Sequence, residues 1–432
     1  MKKILSNVKL INLVDGSNQL SNIYIDQNGK IEKIQAGQLS AIGDYQVFDG
    51  GGNYLIPGLI NLHAHLFSTG KPVNFNVSPR ILNFVYSLAK STLGKKILRS
   101  TMTKHAQIEL MTGVTTIRLV GEFFYQDVKL RDEILTGKVA GPTLLVSGFF
   151  LSVTDGHGAP YLALTSDSPW EGRKNVRKNI KQGVDWIKIC VTGGVTDARR
   201  IGEAGALQLT LPEIEAICDE THKNGMMVAA HVESTEGVRI ALQGGVDTIE
   251  HGAHMDEEII ELFKHNPRAL RGYSTLTPTF QAAVAGLMDP QKTKIDPITY
   301  ANSRAVYESM LAGCRQALIS GIKLGMGNDA SMAYVTHYDF WRELHHLVKL
   351  TEASPLQALN IVTKNNAEIL GIDEHYGTVE VGKMADLLLL KEDPTKDVRS
   401  VKEVAMVFKH GQQVNLKPIK RYPGLDHLLD QL

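Results

Sequence analysis

Two textures of hydrophobic and polar positions alternate along this chain. Over residues 1–57, short stretches at 8–13, 22–25 and 30–34 alternate apolar with polar side chains, and the pairs Asp15-Gly16 and Asn28-Gly29 punctuate them. Period-two patterning between such turn signals predicts strands in hairpins. The same texture returns at 377–380, 385–390 and 404–411. The two ends, 1–57 and 375–432, are therefore expected to form one small β-sandwich. Between them, over 58–374, apolar runs of strand length occur at 56–65, 115–119, 144–147, 186–189, 227–231, 248–251, 274–277 and 322–326. Helical patterning separates several of these runs. It is clearest over 211–223, where Thr210 is placed as N-cap with Pro212 and Glu213 in the first turn, and over 355–370. Strands alternating with helices predict parallel βα units, and eight of them predict an α/β chain whose middle is a (β/α)8 TIM barrel.

Composition narrows the function. A chain of 432 residues with 43% hydrophobic side chains can bury a large core. Lys and Arg total 46 and Asp and Glu also 46, so no electrostatic footprint points to nucleic acid or an acidic membrane surface. The expected partner is a small molecule. Cys190, Cys218 and Cys314 are scattered and odd in number, which argues for buried thiols over a disulfide framework or a cysteine zinc site. No apolar stretch of signal-peptide length opens the chain, and no run of about 18 apolar residues occurs, so a soluble cytoplasmic protein is expected. Residues 67–104 carry apolar side chains at helical spacing. They are expected to cover the barrel mouth or meet a neighbouring subunit, the second option implying a homo-oligomer.

Candidate chemistry begins with Lys188, alone in the apolar run Trp186-Ile187-Lys188-Ile189-Cys190-Val191. An ammonium group at mid-strand in a water-excluding segment needs a chemical partner, and a metal site supplies one. His63, His65, His231, His251 and Asp329 each stand at or near the end of an apolar run. In a barrel of this type functional residues come from the C-terminal ends of several strands, so all six would converge on one mouth. His63 and His65, two apart in extended chain, point the same way and can hold one ion jointly. The set suggests a hydrolase carrying two metal ions, and histidine with oxygen donors favours Zn²⁺, with manganese, iron or cobalt also suited to it.

At this point the pattern resembles the amidohydrolase superfamily, in its imidazolonepropionase-like branch with Xaa-Pro dipeptidases and arginine-type carboxypeptidases. The resemblance rests on the ordered set Ile56-Pro57-Gly58-Leu59-Ile60-Asn61-Leu62-His63-Ala64-His65, Gly113-Val114-Thr115-Thr116-Ile117-Arg118, Thr154-Asp155-Gly156-His157-Gly158 and Ile187-Lys188-Ile189 with Thr192-Gly193-Gly194-Val195. Val228-Ala229-Ala230-His231, Ile249-Glu250-His251-Gly252 and residues 377–387 complete it. It implies that His63, His65 and Asp329 ligate a more buried ion, His231 and His251 a more exposed one, and that Lys188 bridges both as a carbamate. An apolar setting favours the neutral amine that reacts with carbon dioxide. A hydroxide bridging the ions would attack the carbonyl of a dipeptide or N-acyl amino acid, with Asp329 as base and His157 as second polariser.

Substrate contacts are expected from Tyr273, Arg199 and Glu233. Glu233 stands where an aromatic is expected in many dipeptidase-like relatives, which points toward a polar or basic substrate. Glu250 is expected to support a ligand. Rival readings are a cyclic-amide, carbamate or ester hydrolase on the same site, or a mononuclear enzyme of imidazolonepropionase or deaminase type that would have no use for Lys188.

Overall fold

A computed structural model describes residues 1–39, 43–72 and 79–432. The chain divides into two compact units, one of residues Met1–Asn61, Ala106–Ile117 and Tyr338–Ile419, the other of Leu62–His105, Arg118–His337 and Lys420–Leu432. In the first, strands from both ends join in one eight-stranded sheet. Its order runs Gln412–Gln413, Val404–Lys409, Leu387–Leu390, Tyr54–Pro57, Lys3–Ile11, Asn18–Ile25, Ile31–Ala36, with Gln46–Asp49 also paired to Lys3–Ile11. The ends meet where Leu387–Leu390 lies antiparallel to Tyr54–Pro57, Leu388 opposite Ile56. What the alternating texture foresaw as a sandwich is, in the described strands, this single sheet. Leu5, Ile23, Ile25, Leu55, Leu387, Leu389 and Phe408 are buried together against it. The helical pattern over 355–370 is interrupted by one wider turn, Ile361–Asn365, between Pro355–Asn360 and Asn366–Leu370.

The second unit carries α/β alternation. Its six-stranded parallel sheet runs Ala163–Thr165, Phe150–Ser152, Ile187–Cys190, Val228–Val232, Thr248–His251, Thr275–Thr277. Ile187–Cys190, Val228–Val232 and Thr248–His251 are buried at every position, as befits near-continuous apolar runs covered on both faces. Helices Pro169–Gln182, Leu211–His222, Thr235–Gln243 and Glu257–Lys264 alternate with the strands. The Glu213 carboxylate accepts from the backbone N–H and hydroxyl of Thr210, closing the expected start of Leu211–His222. A three-stranded sheet orders Leu59–Ala64, Val114–Leu119 and Thr143–Leu145. The eighth expected strand is reduced to one bridge, Leu324 to Leu276. No described helix is long and apolar enough to cross a membrane.

Candidate active site

The site grows from the strand Leu59–Ala64, which delivers His63 and His65 at its end. His63 Nδ1 donates to Glu250 Oε2 at 2.7 Å, since a carboxylate can only accept. The other Glu250 oxygen accepts from Arg118 Nη2 at 2.6 Å and from the Thr248 hydroxyl at 2.5 Å. Arg118, wholly buried, also donates through Nε to the Leu62 carbonyl at 2.6 Å and lies against the Trp186 ring. Burial alone would raise the Glu250 carboxyl, but Arg118 and then His63 outweigh it and hold it low. His65 Nδ1 donates to the Gly121 carbonyl at 2.6 Å, and His251 Nδ1 pairs with the Thr279 hydroxyl at 2.6 Å. In all three rings Nδ1 is engaged, which leaves Nε2 to face the site. This is how ligating histidines are oriented by their outer partners.

Asp329 enters from the run after Leu324. Its backbone N–H donates to the His63 carbonyl at 2.8 Å, and its Oδ1 stands 3.3 Å from Nε2 of both His63 and His65. That approach requires Gly327, where a β-carbon would lie 2.4 Å from His63 Cβ. Asp329 and His251 both hold left-handed backbone, φ 59° and 67°, a conformation that costs energy for residues with a side chain. Burial acts to raise the Asp329 carboxyl, yet His63 and then His65 keep it well below its ordinary range. In the sheet, Cys190 pairs with His231 and Val232 with His251, so Lys188, His231 and His251 stand on three adjacent strands. Burial lowers the Lys188 amine from its ordinary range and depresses His231 and His251 well below theirs.

Among these residues are groups able to hold a divalent metal. His63, His251 and Asp329 offer donor atoms all within 4.8 Å of one another, and so do His231, Glu233 and His251. Lys188 Nζ, His231 Nε2 and Glu233 Oε2 are buried without a hydrogen-bond partner among the described residues. An unpartnered buried polar atom is costly, and several of them at one site are accounted for by cations that take their lone pairs.

His157 stacks on His231 with ring centroids 4.1 Å apart and planes 10° from parallel. Gly194 permits the stack, since a β-carbon there would lie 2.8 Å from His157 Nδ1 and Cε1. His157 Nδ1 is in close contact with Asp197 Oδ2, which also accepts from Gly194 N–H at 3.1 Å. Burial would lower the imidazole, but Asp197 outweighs it and raises it above the ordinary range. Sequence reasoning missed Asp197. Its one signal was a carboxylate in the glycine-rich loop after the Lys188 strand. Glu233 comes to the site, two residues beyond His231. Arg199 is exposed and pairs with Asp155, at 2.8 and 2.9 Å, beside the His157 turn. Tyr273 is not brought to the site. It precedes Thr275–Thr277, at the N-terminal end of that strand, with Lys323 Nζ over its ring at 5.8 Å, whereas the site residues lie within their strands or follow them.

The model of the amidohydrolase family matches residues 54–414. The chain belongs to the amidohydrolase family. A crystal structure from Bifidobacterium longum, provisionally assigned as a prolidase, superposes with a TM-score of 0.87 at 39% identity, covering 100% of this chain and 98% of that one. A Xaa-Pro dipeptidase with methionine bound in its active site superposes with a TM-score of 0.80 at 27% identity, covering 96% and 100%. Ochratoxinase of Aspergillus niger is 25% identical over 389 residues, 83% of this chain and 75% of that protein. This amidohydrolase is thus a hydrolytic enzyme acting on amide C–N bonds.

Proposed function

We propose that this amidohydrolase is a binuclear metal enzyme that hydrolyses the amide or peptide bond of a small substrate, a dipeptide or N-acyl amino acid. The observation that carries the reading is the buried, unpartnered Lys188 Nζ and His231 Nε2 beside Asp329, ringed by histidines with Nδ1 engaged. The scaffold in this reading is a (β/α)8 barrel over 58–374, flanked by 1–57 and 375–432. The Leu324 to Leu276 bridge, the Leu62 N–H donating to the Met326 carbonyl and the Ala64 to Ala330 bridge support it. Three buried, unbridged cysteines suit a reducing cytoplasm. The apolar side chains Phe84, Val85 and Leu88, exposed on the helix Pro79–Lys90, suit a homo-oligomer.

His63, His65 and Asp329 would hold one ion and His231 and His251 the other. Lys188 would join them once its neutral Nζ has bonded to carbon dioxide and released a proton, leaving an anionic carbamate. Two ions so held, most simply Zn²⁺, supply Lewis acidity toward a carbonyl oxygen and acidify water toward neutral pH. Asp329 then takes the proton of the attacking water and delivers it to the departing nitrogen. His157, clamped through Nδ1 by Asp197, turns its other ring nitrogen to the oxygen that gains charge as the carbonyl becomes tetrahedral. His157→Ala should therefore lower kcat about 10²–10³-fold. Steady-state kinetics check this, and an unchanged rate would make His157 a loop residue without a catalytic role.

The relatives called prolidase and Xaa-Pro dipeptidase support a substrate whose scissile bond lies next to a free carboxylate. Arg199 would meet that carboxylate only by giving up its exposed pair with Asp155. Dipeptides amidated at the C-terminus should be turned over at least about tenfold more poorly than the free acids, because a charged partner loses its mate. A panel of dipeptides, N-acyl amino acids, their amides, lactams, carbamates and esters tests the reading. Turnover of lactams, carbamates or esters alone would overturn the peptidase assignment and leave the binuclear one standing.

A further inference from the structure

Glu233 directly follows the strand Val228–Val232, two residues beyond His231, so both side chains leave the extended chain on the same side. Its backbone is fixed there, because its N–H donates to the Thr192 hydroxyl at 3.1 Å. One donor atom each from Glu233, His231 and His251 lies within 4.8 Å of the other two. Two members of this set have unpartnered atoms: Glu233 Oε2 and His231 Nε2 are buried with no hydrogen bond among the described residues. A carboxylate kept in such a place gains most from a cation within its reach.

We propose that Glu233 is itself a metal ligand, closing with His231 and His251 a three-residue donor set for the more exposed ion. The inference rests on the reading above that this site holds divalent ions. Two imidazoles with carboxylate oxygens from Glu233 and the Lys188 carbamate are donors that Zn²⁺ accepts, and expansion to five-coordination would leave a position for water or substrate. The assignment moves Glu233 from substrate selection to metal retention. Its charge is neutralised by the ion, so Glu233 does not make the pocket select basic substrates.

The test is metal binding, separate from turnover. Wild type, E233Q and E233D are stripped with a chelator and titrated with Zn²⁺ against a chromophoric competitor, then with Co²⁺ to record the visible spectrum of each equivalent. E233Q is expected to hold one equivalent at wild-type affinity, to bind the second at least about tenfold more weakly, and to alter the Co²⁺ spectrum of that second equivalent. Both equivalents bound within about twofold of wild type with an unchanged spectrum would overturn the proposal. Thermal unfolding of the stripped proteins checks the fold. Should E233Q fail to fold, E233D decides, since it keeps the charge and loses reach: a weakened second ion supports the assignment and an unchanged one overturns it. If wild type takes only one equivalent, the two-ion reading falls by itself, and Glu233 still stands or falls by whether E233Q weakens that one.

Discussion

Lys188→Ala should strip at least one divalent ion from each chain and nearly all activity with it. The lysine is 3% exposed, and its Nζ has no hydrogen-bond partner among the described residues. A lysine kept only for packing would need a polar mate or a path for its ammonium to reach water. As a carbamate it contributes two oxygens and a negative charge at the centre of a histidine cluster. Removing it would take away the bridge and the negative charge that help retain both ions. Metal analysis of purified wild type and variant checks the expectation. Native mass or well-resolved density should reveal carbon dioxide added to the lysine nitrogen. One ion in fully active wild type, or a bare amine beside two ions, would refute the bridging role.

Asp329→Asn should leave the fold intact and lower turnover by about 10³–10⁴-fold, the upper range for loss of a positioned general base. The substitution separates chemistry from architecture because asparagine is nearly isosteric and, like aspartate, tolerates the left-handed backbone at this position. The backbone N–H bond to the His63 carbonyl is untouched. What changes is that an amide cannot accept the proton of the attacking water. Kinetics beside thermal unfolding and metal content check it. Activity within about tenfold of wild type would place the base elsewhere.

That His63, His251 and Asp329 come together, and His231 with His251, was legible in the sequence because each ends or follows an apolar run, and strand ends in α/β sheets gather at one edge. The supporting role of Glu250 was legible for the same reason, one residue before His251. Asp197 was not, since 40 residues and a glycine-rich loop separate it from His157 and no period announces a loop contact. Tyr273 was misplaced although chain order speaks against it, since a residue that precedes the run 274–277 lies at the N-terminal end of the strand, away from the site edge. The strands Phe150–Ser152 and Ala163–Thr165 have three residues each, too short for alternation to register. Over 322–326 the apolar pattern held, but the chain that must pass against His63 keeps glycines at 325 and 327, and only Leu324 bridges a neighbour.

The left-handed backbone at His251 and Asp329 sets robustness against turnover. Glycine would relax at either position, yet it offers no lone pair; every residue that offers one inherits the strain. Selection for a hardier chain and selection for a faster one therefore pull these two positions in opposite directions. A programme to evolve heat-resistant variants of this enzyme has to find its gains elsewhere, in caps, loops and surface charge, and hold residues 251 and 329 constant throughout.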